Sequence, residues 1–403
     1  MVALKLKTGS DELALLELPW STPLADWPED WSLAIPAGLH RHVVRFVTLN
    51  GVTLALKELP PRLAEREFDL LDRLREEAMP SVRLVGIVTD RVDAEGEPME
   101  AVLVTRHLRY SLPYRHLFAE DAYVTLRDRV IDALVILLVR IHLEGFFWGD
   151  CSLNNALFRR DAGSLQAYLV DTETASWYAT LSDGQRQLDL DIAVENVLGG
   201  LFDLEAEGLL ADDVDPENVA DLLLLRYQEL WSELRGIEEV PTGDLGRIHQ
   251  RLARLNALGF DTEEYELHQR DGIARFRPTI VEEGHHRRLL QRLTGIEAQE
   301  NQARRLLSAL RGYAAWLSQS EGAVLPDAVA AYRWLTERWT PTLERLPTEV
   351  RGRLEDAEVY HQILEHNWYL NERLGVEQPL EHAVQDYIDN VLVNASDERT
   401  VLP

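Results

Sequence analysis

The stretch from His142 to Asp171 restricts the fold of this chain more than any other. A helical pattern ends at Gly145, Gly149-Asp150 sits in a short loop, and Asn155 follows Asp150 by five residues. A turn around Asp161-Ala-Gly163-Ser164 then joins two runs of strand character, the second closing on Tyr168-Leu-Val-Asp171. Helix, loop and hairpin in that order bring the side-chain oxygens of Asp150, Asn155 and Asp171 to one place. Carboxylate and amide oxygens in small number suit a hard cation of the Mg²⁺ type, which keeps most of its shell for phosphates and water.

Phosphoryl transfer asks for that set. It needs little covalent help, but it needs metal ions across the phosphates and a carboxylate beside the attacking oxygen. The order predicts Asn155 and Asp171 as ligands of Mg²⁺ on ATP. It predicts Asp150 as the catalytic base facing an acceptor hydroxyl. Alone, G-D-x-x-x-x-N has moderate specificity. The Ile141-His142-x-x-Gly145 before it and the Leu-Val-Asp171 after it sharpen the pattern.

The chain has three lysines, Lys5, Lys7 and Lys57, among 41 basic residues. Arginine serves almost everywhere else, so an internal lysine stands out. Lysine is a compact point charge suited to a phosphate, and arginine does not replace it freely. Lys57 closes an alternating run, Val52-Thr-Leu-Ala-Leu-Lys57, reached from the strand Arg41–Thr48 through an Asn50-Gly51 hairpin turn. Ala37–His42 stands where a glycine-rich phosphate loop is expected and holds one glycine. His40, Arg41 and His42 are either phosphate contacts in its place or a polar rim. A helix opens at Pro60-Pro61 and runs to about Ala78, and Glu67 on it is the candidate partner of Lys57. Strands at 81–88 and 100–106 follow, and groups near Thr105, His107 and Leu108 are placed against the adenine.

Further along, Leu126–Leu143 reads as a buried helix ending in His142, taken as a packed structural histidine. Glu173 is read as a turn cap, with a metal-site extension as the alternative. Asp189 fits equally a brace for the catalytic loop through backbone N–H groups and an ordinary helix N-terminal acid. Beyond Pro216–Leu234 the character changes. A basic helix at 245–258 and a hairpin at 265–278 lead into helices at 287–315, 327–338, 348–374 and 380–393. The clusters Glu282-Glu-Gly-His-His286 and His361-x-x-x-Glu365-His366 are read as packing or interface groups, because their spacing departs from zinc helices.

Net charge is -28 over 403 residues, which argues against nucleic acid and anionic membrane as partners. No apolar run reaches membrane-span length, the start lacks signal-peptide character, and the single cysteine, Cys151, leaves no intrachain disulfide. A cytoplasmic location is expected.

The run Arg140-Ile-His142-x-x-Gly145, Gly149-Asp150, Asn155 and Asp171 resembles the core of aminoglycoside and lipopolysaccharide kinases, which share the protein-kinase fold. Glu67-x-x-x-Leu71-x-x-Leu74 and Pro80-x-Val82 are similar to their helix and following strand. The runs Pro36–Phe46, Ser111-Leu-Pro-Tyr-Arg115, Leu293-Thr-Gly295 and Glu300-Asn-Gln-Ala-Arg-Arg305 resemble an uncharacterised bacterial family that joins such a domain to a helical C-terminal region. The resemblance implies an α+β, two-lobed kinase-like fold, then a small α/β segment and a mostly α-helical C-terminal domain. The expected divisions are an extension at 1–35, a kinase-like domain at 36–236 with lobes 36–107 and 108–236, and the remainder at 237–403. It also implies that Lys57 contacts the ATP phosphates and pairs with Glu67. Trp148 and Thr172-Glu173 depart from the family's usual residues, and Lys57 lies only ten residues from Glu67.

An ATP- and Mg²⁺-dependent phosphotransferase on an unknown small-molecule or protein hydroxyl is the first reading. The second is a pseudokinase or nucleotide sensor whose C-terminal helices recruit a protein partner or a second copy. Adenylyl transfer is a third, raised by His40, Arg41 and His42.

Overall fold

The computed structural model describes residues 3–6, 10–28, 42–120, 123–235, 238–241, 246, 250–251, 253–255, 264–270, 273–279, 284–376, 378–399 and 401. Strands β1 (Ala3–Leu6), β2 (Val44–Leu49), β3 (Val52–Leu59), β4 (Arg83–Thr89) and β5 (Ala101–Arg106) form an antiparallel sheet in the order β1-β4-β5-β3-β2. The β2–β3 turn has Asn50 and Gly51 at φ of 50° and 78°, the left-handed pair that a two-residue hairpin matching strand twist requires.

Alternation sorts the two sheet faces. Leu54, Leu56, Val102 and Val104 point outward and are buried under Leu15, Leu18, Trp20, Leu24 and Trp27 of the N-terminal segment. On the other face, helix α1 (Pro61–Glu76) lays Phe68, Leu71 and Leu74 against Leu59, Leu84, Ile87 and Leu103. Arg91 ties the N-terminal segment down. Its fully buried guanidinium lies 2.6 Å from Glu58 and donates to the carbonyls of Trp20, Thr22 and Glu100 at 2.9, 2.7 and 2.9 Å.

The next part is built on helix α3 (Val124–Leu143), whose apolar surface is buried nearly all round. Before it come β6 (Ser111–Leu112) and α2 (Tyr114–Ala119). After it come β7 (Phe146–Phe147), β8 (Ala156–Arg160), β9 (Leu165–Leu169), β10 (Ser176–Trp177), α4 (Asp183–Ala206) and α5 (Pro216–Arg235). Strands order as β6-β8-β9, and β7 pairs β10. A capping box starts α4: Ser182 accepts from the Gln185 backbone N–H, and the Gln185 side chain reaches back to the Ser182 N–H.

A three-stranded sheet follows, β11 (Glu238–Pro241), β12 (Glu264–Arg270) and β13 (Ile273–Thr279), in the order β11-β13-β12. Then come α6 (His285–Thr294), α7 (Glu300–Glu321), α8 (Asp327–Trp334), α9 (Thr340–Glu344), α10 (Asp356–Leu374) and α11 (Leu380–Asn390). Their core holds Leu306, Leu310, Trp334, Trp339 and Tyr360. No helix among the described residues is long and apolar enough to cross a membrane.

These helices and the tail after them grip the β8–β9 hairpin. Arg159 lies 2.6 Å from Glu355, and Arg160 makes a two-pronged contact with Glu398 at 2.8 to 3.0 Å. Asp161, in the turn, accepts from the backbone N–H groups of Asn301 at 3.2 Å and Gln302 at 2.8 Å, capping α7 from outside the helix.

Some boundaries differ from the sequence expectation. The helix expected at 287–315 is two helices, because Gly295 takes the left-handed conformation (φ 76°) that ends α6. The one expected from 348 starts at Asp356. The N-terminal segment contributes a strand, β1, to the sheet edge. Most of 245–258, and Ala37–Arg41 with them, lie outside the described residues.

Removing one partner of a buried ion pair strands the other charge and costs about 3–5 kcal/mol. Arg91→Ala is therefore expected to lower stability by about that much. It should also open residues 10–28 to protease before the rest of the chain, read by urea unfolding and limited proteolysis; an unchanged digestion pattern would contradict the lock.

Candidate functional site

Lys57 lies near the C-terminal end of β3, where the pleat turns its side chain to the same sheet face as Ala55 and away from Leu54 and Leu56. Its Nζ donates to Asp171 Oδ2 at 2.6 Å and lies 3.2 and 3.4 Å from the two carboxylate oxygens of Glu67. Three separate parts of the chain meet there: β3, α1 and the segment after β9. Glu67 is 1% exposed, and its Oε1 also accepts from the Thr172 N–H at 3.5 Å. Burial works against the Lys57 charge, but the Glu67 and Asp171 carboxylates outweigh it and hold the ammonium above its ordinary value. Burial, aided by Asp171, pushes the Glu67 carboxyl up to about 7, with Lys57 pulling the other way.

Asp171 Oδ1 accepts from the Glu173 N–H at 2.8 Å, which fixes the carboxylate's orientation. Glu173 itself points into the same cleft. Its Oε2 is 3.9 Å from Lys57 Nζ and 3.0 Å from His42 Nε2. His42 therefore faces a carboxylate.

The loop that carries Asp150 is held by a buried carboxylate. Asp189 on α4, 0% exposed, accepts from the Trp148 N–H at 2.7 Å and from the Gly149 N–H at 2.7 Å. His142 Nε2 lies 3.0 Å from Asp189 Oδ2, and its Nδ1 lies 2.6 Å from the Tyr227 hydroxyl. Of the two sequence readings of Asp189, the brace is the one present. His142 is packed between two polar partners and does not enter the cleft. Gly149 has φ of 75°, and a Cβ there would come within 3.0 Å of the Phe147 ring. The indole Nε1 of Trp148 donates to the Asp171 carbonyl at 2.9 Å, so the Asp150 loop and the Asp171 segment are joined directly.

Asp150 is exposed at the end of that loop. Asn155 Nδ2 donates to its carbonyl at 2.9 Å and its Oδ2 at 3.0 Å. Asn196, from α4, donates to Asp150 Oδ1 at 3.0 Å and to the Cys151 carbonyl at 3.2 Å. Burial raises the Asp150 carboxyl above its ordinary value; the two amides draw it down, and the Asp171 and Glu173 charges push it up.

The Asn155 amide nitrogen is turned to Asp150. Its carbonyl oxygen and the Asp171 carboxylate are hard oxygen donors, the kind a Mg²⁺-type cation takes together with phosphates and water. Among the described residues no group of three or more His, Cys, Asp or Glu side chains is placed to hold a metal ion. His286 is instead 2.8 Å from Glu300, and His366 is 2.6 Å from Asp386.

Thr105 pairs with Ala55 across β5 and β3, on the Lys57 face of the sheet. His107 follows on the same face, its N–H donating to the Thr53 carbonyl at 2.9 Å. Its ring is 6% exposed, and burial lowers its pKa to about 4 against a hydrogen bond to the Val401 backbone. Its Nε2 has no hydrogen-bond partner among the described residues. Arg41 lies outside the described residues. Sequence reasoning missed Asn196 and the Trp148 indole; neither sits in a spacing pattern that points to Asp150 or Asp171.

Residues 48–192 match the lipopolysaccharide kinase (Kdo/WaaP) family, and residues 229–392 match a domain of unknown function (DUF4032). No curated protein matches the chain. Among solved structures, "WaaP in complex with acyl carrier protein" is 17% identical, covers 57% of this chain and 90% of its own, and superposes with a TM-score of 0.36. The chain is a kinase-like N-terminal region of mixed helix and sheet followed by a mostly helical C-terminal part.

Two buried N–H groups depend on the Asp189 carboxylate, and each left unsatisfied costs about 1–3 kcal/mol. Asp189→Ala is expected to destabilise the chain by about 3 kcal/mol, and Asp189→Asn by less because one acceptor remains. Chemical denaturation of the two variants checks the order; equal stability would remove the brace.

Proposed function

We propose that this chain is an ATP- and Mg²⁺-dependent phosphotransferase that acts on a hydroxyl acceptor. The observation that carries the reading is the contact of Lys57 with both Glu67 and Asp171. A strand lysine paired to a helix glutamate, beside a metal-binding aspartate, is the arrangement phosphoryl transfer uses to hold a nucleotide. The match of residues 48–192 to lipopolysaccharide kinases supports it and makes a saccharide hydroxyl the first acceptor to try.

Each residue then has a task. Lys57, oriented by Glu67, holds the α- and β-phosphates of ATP. Thr105 and His107 line the approach to the adenine, and Arg41 is assigned to the phosphates. Asn155 and Asp171 hold Mg²⁺, which neutralises charge on the phosphates when bound. Asp150 takes the proton of the acceptor hydroxyl, its carboxylate aimed by the Asn155 and Asn196 amides. Burial raises the Asp150 carboxyl, which moves it toward a useful base. The divisions 36–107, 108–236 and 237–403 are proposed as the two lobes and the helical part. ATP as donor places the reaction in the cytoplasm, and the lone buried Cys151 is compatible with that.

Asp150→Asn is expected to lower phosphate transfer by about 10²-fold or more while leaving ATP·Mg²⁺ affinity within about twofold. Lys57→Ala and Asp171→Ala should each weaken ATP·Mg²⁺ binding by about tenfold or more, since each removes a charge-assisted contact. Calorimetry beside γ- and α-labelled ATP reads all three. Label from the α position would make the reaction adenylyl transfer. Metal-dependent binding without turnover, with every acceptor tried, would leave a nucleotide sensor.

A further inference from the structure

Residues 107–110 link β5 to β6, and with them the five-stranded sheet to the part built on α3. On the sheet side, the His107 N–H donates to the Thr53 carbonyl of β3 at 2.9 Å. On the other side the linker closes on itself: the Ser111 N–H and hydroxyl both donate to the Leu108 carbonyl, at 3.3 and 2.6 Å. Between these two ends Tyr110 takes a φ of 58°. A residue with a side chain holds that left-handed conformation only where its surroundings support it.

Part of that support comes from the far end of the chain. The Tyr110 N–H donates to the Arg399 carbonyl at 3.4 Å. The His107 ring is hydrogen-bonded to the Val401 backbone, and Val401 packs against the core that contains α3. The tail is held in turn from the side of the C-terminal helices. The Glu398 N–H donates to the Arg353 carbonyl at 2.8 Å, and the Arg353 guanidinium donates to the Val393 and Ala395 carbonyls at 2.9 and 3.1 Å. The Arg399 guanidinium donates to the Gly352 and Arg351 carbonyls, each at 3.1 Å. The Glu398 carboxylate, buried, takes Arg160 of β8. One short segment thus joins the linker, the β8–β9 hairpin and the residues ahead of α10.

We propose that this tail is a strap across the linker, which restricts how the sheet and the α3 part move against each other and so couples the C-terminal helices to the nucleotide end of the cleft. Hinges are a few loop or element-terminal residues that absorb a change in φ and ψ, and residues 107–110 stand at such a place. A tail bonded to Tyr110 and His107, and anchored on residues 351–353 and Arg160, takes that freedom away. A chain end lying passively on the surface would not bury a carboxylate on an arginine or seat a valine in the core. The effect on nucleotide rests on the phosphotransferase reading, because Thr105 and His107 stand at the start of this linker. The restraint on the linker does not.

The test compares the wild type with a deletion of residues 399–403, which spares the Glu398–Arg160 pair, and with Arg399→Ala. Hydrogen exchange is resolved to single amides by fragmentation mass spectrometry, and ATP·Mg²⁺ binding is read by calorimetry. In the deletion, exchange at the His107 and Ser111 amides, whose acceptors are Thr53 and Leu108 and not the tail, is expected to be at least about tenfold faster. ATP·Mg²⁺ binding is expected to weaken at least about threefold, as the linker is no longer held in place beforehand. Faster exchange at Tyr110 alone, which loses its acceptor, overturns the strap, and so does ATP·Mg²⁺ affinity equal to that of a binding wild type. A wild type that binds no ATP·Mg²⁺ refutes the phosphotransferase reading, and exchange at His107 and Ser111 then decides the strap by itself. If the deletion unfolds, Arg399→Ala, at an exposed position, must still speed exchange at His107; no change there overturns the proposal.

Discussion

The ammonium of Lys57 is the contact on which the kinase-like part turns. Glu67 and Asp171 come from elements more than a hundred residues apart, and without a cation between them their charges would repel in a half-buried cleft. Two unit charges 4 Å apart interact by about 4 kcal/mol at the effective dielectric of a protein surface, so the pairing can outweigh the cost of burial. It also sets geometry. With Lys57 fixed on a central strand, α1 and the segment after β9 take their positions from one atom.

A second anchor works through backbone. The Asp150 loop has Gly149 in a left-handed conformation, and such a turn leaves N–H groups pointing inward. Asp189 collects two of them, and His142 and Tyr227 support Asp189 from behind. The Trp148 indole then bonds the carbonyl of Asp171. The two anchors are thereby one structure: what holds the loop also holds the aspartate that meets Lys57.

How much of this is legible in the sequence follows from range. Lys57 stood out because the chain spends arginine almost everywhere else, and Asn50-Gly51 and the β3 alternation placed it on a strand by local rules. Asp150, Asn155 and Asp171 lie within one hairpin of each other, so their order alone suggested a shared site. The Glu67 pairing was within reach because α1 follows β3 directly. Asn196 was not, since its bond to Asp150 spans 46 positions and depends on how α4 crosses the loop. His42 was read as a phosphate contact or rim residue, and its partner Glu173 is 131 positions away. The break at Gly295 was a local signal, and the apolar period running through it masked the left-handed cap.

The C-terminal helices bear on the site through the β8–β9 hairpin. Asn155 immediately precedes β8, and Asp171 follows β9 by two positions, so the separation of these two side chains is set by the pairing of the strands. The near end of the hairpin is held by β6, which pairs β8, and by the core shared with α3. Here its far end is fixed by Arg159 and Arg160 on Glu355 and Glu398, and by Asp161 on the N-terminus of α7. The turn also takes a bond from outside, the Ala162 N–H donating to Glu358 at 3.1 Å. Loss of those contacts would free the far end of the hairpin and leave its strand pairing, with the bonds of Asn155 to Asp150 and of Asp171 to Lys57, to position the two side chains. The helices after residue 284 thus act as part of the support of the Asn155–Asp171 pair, which gives a physical reason for the two matched regions to occur in one chain.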